Sequence, residues 1–174
     1  MKKLRIGVFD IEGNNLYLNI TKGWCICIID YYTRERHVYR PHEMNQAAYD
    51  LKHCWDVVVG HNILDFDLPA MSKLYGIDYR GLKTFDTIVA SRLLNSDPTY
   101  QHSLKAWGER LGCLKGDYGQ QEEAWDKFTE DMLEYCIQDV EVSLLLFEYL
   151  MKKLKFDIDT FNYPEYTVEP QHTI

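Results

Sequence analysis

The chain has 174 residues, a formal net charge of −8 at pH 7, 46 % hydrophobic residues and 14 % aromatic residues. This composition excludes a disordered chain, and the length is sufficient for one domain with its own core. The negative charge argues against a protein that coats duplex DNA electrostatically, and no segment approaches the roughly 20 apolar residues that a membrane span requires.

The cysteines and the N-terminus favour a reduced, cytoplasmic protein. The five cysteines form no C-x-x-C pair, and Cys25 and Cys27 form only a C-x-C on an apparent strand, where alternate residues share one face. The apolar run near the N-terminus is interrupted by Asp10 and Glu12 and lacks a small-residue cleavage site. We therefore interpret this run as a strand rather than a signal peptide.

The pattern of apolar residues predicts strands and helices along the whole chain. In chain order, we expect strands at 4–11, 24–32 and 36–40, a helix at 45–55, a strand at 56–62, a helix at 66–76, a strand at 82–87, and helices at 86–96, 103–112 and 130–150. The segment from Gly112 to Trp125 is predicted to be a loop. Three early strands followed by alternating helices and strands predict an α/β domain, with a mixed five-stranded sheet flanked by helices.

The first candidate motif is D-x-E, formed by Asp10 and Glu12 at the end of the first strand. Residues i and i+2 of a strand point to the same side, so the two carboxylates would lie next to each other. Burial of two like charges is costly, and a hard cation such as Mg²⁺, which prefers oxygen ligands, would offset this cost. The alternative is that the strand has already ended and both acids are solvated.

The second candidate motif follows the strand at 56–62 and contains Asn62, Phe66 and Asp67. An aromatic ring can stack on a base, and an amide can form hydrogen bonds with one. Two alternatives remain open from the residues alone: Asp67 as a helix cap and Phe66 as a core residue. Asp65 is a rival to Asp67 for the role of the site carboxylate.

The third candidate motif is Y-x3-D on the last helix, formed by Tyr135 and Asp139. Residues spaced i and i+4 lie one above the other on a helix face. A Tyr–Asp pair on a solvent-exposed helix surface is the competing interpretation. We interpret a further acid, Asp86, as a helix cap rather than a metal ligand.

In combination and order, these three motifs resemble the DEDD superfamily of 3′-to-5′ exonucleases, in the subclass with a catalytic tyrosine. The subclass with a catalytic histidine would require H-x4-D, and residue 134 is Glu. The stretches FDTIVASRLL and HSLKAWGERLG are similar to the proofreading domains of family A DNA polymerases, especially those of short-tailed bacteriophages. The resemblance covers roughly residues 4 to 150 of this sequence.

This resemblance implies an RNase H-like fold with an exonuclease domain at residues 1–155 and a C-terminal tail at 156–174, which is packed on the surface or flexible. It implies two divalent cations, Mg²⁺ or Mn²⁺, and the four carboxylates that would hold them are Asp10, Glu12, Asp67 and Asp139. Tyr135 would orient the attacking water, because a phenol is a weak base near neutral pH.

The expected substrate is the 3′ end of single-stranded DNA. By resemblance, Glu12 would also contact the terminal 3′-OH, and Asn62 and Phe66 would hold the terminal nucleotides. Further predicted nucleic-acid contacts are Ile11, Gly13, His61 and His102; a structural role is the competing interpretation for both histidines.

Several alternatives for the function stay open at this stage. The runner-up enzyme is an exoribonuclease resembling ribonuclease D, and the other class is a catalytically silent nucleic-acid-binding module. An exodeoxyribonuclease would act in DNA replication or repair, either alone or as proofreading partner of a separate DNA polymerase. If the chain comes from a bacteriophage, its expected location is the host cytoplasm.

Overall fold

The computed structural model describes residues 2–113, 118 and 123–163 of the chain. These residues form ten regular elements in the following order: β1 (Ile6–Gly13), β2 (Gly23–Asp30), β3 (Arg36–Tyr39), α1 (Met44–His53), β4 (Val57–Gly60), α2 (Leu68–Tyr75), β5 (Lys83–Asp86), α3 (Thr87–Leu94), α4 (Leu104–Leu111) and α5 (Glu130–Leu154). A short 3₁₀ turn precedes α1, and a π-helical turn, Ile63–Asp67, precedes α2.

The strands form one sheet in the order β3-β2-β1-β4-β5. The β1–β2 and β2–β3 pairs are antiparallel, whereas the β1–β4 and β4–β5 pairs are parallel. The prediction of a mixed five-stranded sheet flanked by helices is therefore confirmed.

Alternation along the strands divides the apolar residues between two cores. Val8 and Cys27 belong to the core that α3, α4 and α5 cover, whereas Phe9 and Ile28 belong to the core beneath α1 and α2. Because side chains of a strand alternate between faces, Asp10 and Glu12 lie on the same face as Val8, toward α5.

Helix α5 crosses this face of the sheet. It begins at Thr129, whose hydroxyl accepts a hydrogen bond from the Met132 N–H at 3.1 Å, as expected for a helix cap. The helix continues one turn beyond the predicted end at Leu150 because Met151 extends the buried stripe. It ends at Lys155, whose positive φ of 54° turns the chain.

The segment after α5 folds back onto the sheet. Phe156 is buried, and its ring packs edge-to-face against Phe85 of β5 and Phe161, with centroid distances of 5.0 and 4.8 Å. Residues 164–174 of the predicted tail, and 114–117 and 119–122 of the predicted loop, lie outside the described residues. Within the described part of the chain, no helix combines the length and apolarity that crossing a membrane requires.

Candidate active site

A cavity of about 600 Å³ opens where β1, the β4–α2 junction and α5 meet. Its walls are formed by Asp10, Ile11, Glu12, Gly13, Asn14, Asn15, Leu16, His61, Asn62, Phe66, Asp67, Trp125, Asp126, Tyr135 and Asp139. Other surface hollows of the described residues have similar volumes, about 550, 670 and 690 Å³, so size alone does not single out this cavity. Its distinguishing feature is the set of carboxylates from three separate segments.

The first two carboxylates come from adjacent same-face positions of β1. Glu12 is 8 % exposed and Asp10 is half-buried, so neither acid is on a fully solvated strand end. Gly13 follows at a register irregularity, where an added Cβ would lie 2.5 Å from the Ile20 side chain and 3.0 Å from the Lys22 carbonyl. Glycine therefore allows the next loop to pack closely beside Glu12.

Asp67 is buried and faces Asp10 from the β4–α2 junction. It occupies the position before α2 but makes no side-chain capping hydrogen bond. Its Oδ2 instead accepts a hydrogen bond from the Ile11 N–H at 3.1 Å. Strand β4 pairs with β1 only as far as Val8, so the Ile11 N–H lies beyond this pairing and is available to the Asp67 carboxylate. Asp65, the rival position, is exposed.

Helix α5 supplies Asp139 and Tyr135, which are one turn apart. Asp139 is 3 % exposed and Tyr135 is half-buried, so the pair does not belong to a solvent-exposed helix surface. The Tyr135 ring lies in an aromatic group, with centroids 6.0 Å from Trp125 and 5.8 Å from Tyr118. The Trp24 Nε1–H anchors this group by donating to the Trp125 carbonyl at 2.9 Å.

The carboxylates act on one another electrostatically. Burial, followed by the charges of Asp10 and Asp139, raises the pKa of Glu12 well above its ordinary value. Burial and then the Asp10 charge likewise raise the pKa of Asp67, although the Ile11 N–H partly opposes this effect. A buried cluster of this kind is stabilised either by protons or by cations. Its all-oxygen carboxylate set is the type that divalent hard cations prefer.

The turn between β4 and α2 places Asn62 and Phe66 at the cavity wall. Asn62 has left-handed backbone geometry, with φ 62° and ψ 31°. The Asp86 carboxylate fixes this turn by accepting hydrogen bonds from the Asn62 N–H at 2.8 Å and the Leu64 N–H at 3.0 Å. Phe66 packs partly against the core beneath α1 and α2 and also lines the cavity.

The two histidines lie in different places. His61 lines the cavity, and its Nδ1 lies 2.8 Å from the Thr87 Oγ1, whose hydroxyl donates to the Gly60 carbonyl at 3.1 Å. His102 is not among the residues that line the cavity. Its Nδ1 lies 2.6 Å from the Ser91 Oγ, which also accepts a hydrogen bond from the Trp107 Nε1–H. Nucleic-acid contact by His102 stays a prediction.

Sequence analysis missed several residues that shape this site. Asp86 was correctly interpreted as the cap of α3, because it accepts a hydrogen bond from the Ile88 N–H, but its hold on Asn62 has no local sequence signal. Trp125 lies in a stretch without apolar periodicity, so the sequence does not indicate which side of the chain it faces. Cys136, which lies 3.8 Å from the Asp10 Oδ2, was interpreted only as one of five reduced cysteines.

Comparison with protein families identifies sequence relatives over most of the chain. The model of a family described as 3′-5′ exonuclease matches residues 5–155. The DNA-directed DNA polymerases of Enterobacteria phage T3 and Escherichia phage T7 are each 33 % identical over an alignment of 185 positions that covers 83 % of this chain. The chain spans 26 % of the length of these relatives.

Solved structures with the same fold are more distant in sequence. Brucella melitensis NrnC has a TM-score of 0.68 at 20 % identity, with 87 % of this chain and 74 % of that one covered. The catalytic core of RRP6 from Trypanosoma brucei has a TM-score of 0.65 at 19 % identity, with 87 % and 42 % covered. The family B DNA polymerase from Pyrobaculum calidifontis has a TM-score of 0.61 at 19 % identity, with 86 % and 25 % covered. These likenesses identify the fold as RNase H-like.

Proposed function

Because the chain belongs to the 3′-5′ exonuclease family, we propose that it hydrolyses phosphodiester bonds at the 3′ end of single-stranded DNA and releases nucleoside 5′-monophosphates. The observation that carries this proposal is the convergence of Asp10, Glu12, Asp67 and Asp139 with Tyr135 around one open cavity. No single segment of the chain supplies this set, and its burial is costly without a bound cation.

The preference for DNA rests on the sequence relatives. The phage T3 and T7 proteins are DNA-directed DNA polymerases, and their similarity covers 83 % of this chain. We accordingly propose a role in DNA replication or repair, with proofreading for a separate polymerase as one setting. The RNA alternative remains a defined outcome of the experiment below, because a 2′-OH contact would distinguish the sugars.

We propose that the four carboxylates hold two divalent cations, Mg²⁺ or Mn²⁺. Two dications and four ionised carboxylates balance in formal charge, which offsets the burial and the repulsion that together raise the pKa of Glu12 and Asp67. Brucella melitensis NrnC, which shares the fold, has been solved with bound Mg²⁺. When bound, such ions supply Lewis-acid stabilisation of the phosphate and lower the pKa of a coordinated water.

The chain's own residues position the substrate. Tyr135, held by its aromatic neighbours, would direct its hydroxyl to the attacking water. Phe66 would stack on a terminal base, and Asn62 would form a hydrogen bond with the nucleotide at the turn fixed by Asp86. Glu12 would additionally contact the 3′-OH. Such contacts are largely independent of base identity, as removal of any terminal nucleotide requires.

The remaining proposed contacts surround this set. Ile11 and Gly13 flank Glu12 at the cavity wall, and His61 also lines the cavity. His102 would contact the single-stranded DNA only outside the cavity. We propose residues 1–155 as the exonuclease domain and 156–174 as a C-terminal tail, which begins at Phe156 packed on the sheet.

The test is a gel assay with 5′-labelled single-stranded DNA and RNA in Mg²⁺, Mn²⁺ or EDTA. The proposal expects a ladder that shortens from the 3′ end and is lost in EDTA, in Asp10→Asn and in Asp67→Asn. The matched control is Asp65→Asn, which removes an exposed acid two residues from Asp67 and should retain activity. Activity in EDTA, or equal activity of the Asp67 and Asp65 variants, would contradict the proposal. Preferential degradation of RNA would identify RNA, rather than DNA, as the substrate.

A further inference from the structure

The C-x-C pair of β2 lies directly beside the D-x-E pair of β1, on the neighbouring strand. The antiparallel register places Cys27 opposite Asp10 and Cys25 opposite Glu12. Directly opposed residues of antiparallel strands project from the same face of the sheet. The two thiols therefore share the face of the two carboxylates, and both cysteines are fully buried.

Cys136 of α5 brings a third thiol to the same place. Its Sγ lies 3.3 Å from the Asp10 carbonyl oxygen and 3.8 Å from the Asp10 Oδ2. Cys136 and Cys25 are both buried in the core on this face of the sheet. The Cys136 Sγ and one carboxylate oxygen each from Asp10 and Glu12 all lie within 4.8 Å of one another.

We propose that Cys136, Asp10 and Glu12 form a binding site for a thiophilic dication such as Zn²⁺ or Cd²⁺, which overlaps the proposed Mg²⁺ ligands. A hard cation such as Mg²⁺ gains little from sulfur, whereas Zn²⁺ and Cd²⁺ accept thiolate and carboxylate ligands together. On binding, the Cys136 S–H bond breaks, a metal–sulfur bond forms and the thiol proton passes to solvent.

The set supplies three of the four ligand atoms of a tetrahedral site. Zinc–sulfur and zinc–oxygen bonds of about 2.3 and 2.0–2.2 Å require ligand atoms about 3.3–3.8 Å apart. The three atoms lie within 4.8 Å of one another, so they would have to approach by up to about 1.5 Å to share one ion.

A thiophilic ion bound at this site would inhibit the enzyme, and this consequence alone rests on the proposed function. A thiophilic ion that occupies Asp10 and Glu12 removes both from the Mg²⁺ site. Inhibition should therefore be competitive with Mg²⁺, and activity should return when the thiophilic ion is removed with a chelator and excess Mg²⁺ is then added.

The test is a Cd²⁺ titration of the full chain, monitored by the ultraviolet sulfur-to-cadmium charge-transfer band. The proposal expects one equivalent to produce the band and Cys136→Ser to abolish it. In Asp10→Asn, Cd²⁺ affinity should fall by at least about tenfold, since loss of outer partners alone weakens binding 10- to 100-fold. The matched control is Cys54→Ser, because Cys54 packs against the core on the opposite face of the sheet and its removal should leave the band intact.

Three results would overturn the site: a band that survives Cys136→Ser, a band lost in Cys54→Ser, or Cd²⁺ affinity unchanged in Asp10→Asn. Circular dichroism and thermal unfolding of each variant identify any loss of the band that arises from misfolding, and Glu12→Gln then provides a second test of the carboxylates. The absorbance is independent of activity. A Cys136-dependent band in a protein without exonuclease activity would support the site and contradict the proposed function.

Discussion

Asp86 should stabilise both the fold and the substrate-binding turn, and Asp86→Ala tests this double role. The carboxylate is 6 % exposed and accepts three backbone hydrogen bonds, from Asn62, Leu64 and Ile88, at 2.8, 3.0 and 3.1 Å. The bond from Ile88 is the helix cap of α3, and loss of such a cap costs about 1 kcal/mol.

The other two bonds determine the size of the expected effect. A hydrogen bond to a charged acceptor contributes about 1.5–3 kcal/mol, but water can reach part of this turn because Asn62 is half-buried and the Leu64 side chain exposed. We therefore expect the free energy of unfolding to fall by about 3–5 kcal/mol in total. Asn62 should also leave its left-handed geometry, which would raise KM for a single-stranded substrate.

The assay is urea unfolding of Asp86→Ala beside Ser103→Ala. Ser103 caps α4 through one hydrogen bond from the Ala106 N–H at 3.2 Å, and its loss should cost only about 1 kcal/mol. The difference between the two variants isolates the bonds to the 62–64 turn. Equal destabilisation of the two variants, together with an unchanged KM for Asp86→Ala, would refute the reasoning.

Three further predictions concern stability and rate. Because the pKa values of Glu12 and Asp67 are raised in the folded protein, the stability of the EDTA-treated protein should fall as pH rises above about 4. Mg²⁺ should restore this stability most at high pH, whereas a pH-independent thermal midpoint in EDTA would contradict the expectation. Trp125→Ala removes an edge contact to Tyr135 and should lower kcat about three- to tenfold, whereas an unchanged kcat would argue against a positioning role. Gly60→Ala places a Cβ 2.8 Å from the Phe9 carbonyl and should lower the free energy of unfolding by about 1–3 kcal/mol, measured in urea; an unshifted urea midpoint would refute the clash.

Local periodicity predicted which residues share a face, and these predictions agree with the structure. The two-residue repeat places Asp10 and Glu12 on one side of β1, and the four-residue spacing places Tyr135 and Asp139 one turn apart on α5. Such patterns depend only on backbone geometry, which is the same in every strand or helix. They left each motif ambiguous by itself, and the resemblance of the three motifs together to an exonuclease family assigned these segments to a site.

The contacts between segments could not be predicted in this way, because register is a property of the folded sheet. The C-x-C of β2 is an ordinary pair of alternate residues until the register places it opposite the D-x-E of β1. Asp67 likewise has the sequence position of a helix cap, but the Ile11 N–H beyond the end of the β1–β4 pairing provides its hydrogen bond instead. An acid at the start of a helix usually accepts a hydrogen bond from its own helix, whereas the buried Asp67 carboxylate accepts one from β1.

The convergence of the three motifs follows from the direction of the strands. Strands β1 and β4 are parallel neighbours, so the second half of β1, which carries Asp10, and Asn62, which follows β4, lie at one edge of the sheet. Their hydrogen bonding ends at Val8, and this leaves a gap into which Asp67 fits. Had β4 paired antiparallel to β1, the second motif would lie at the opposite edge. Helix α5 then needs only to cross the β1 face for Asp139 to reach the same cavity, so the parallel pairing of β1 and β4 is the tertiary feature on which the site depends.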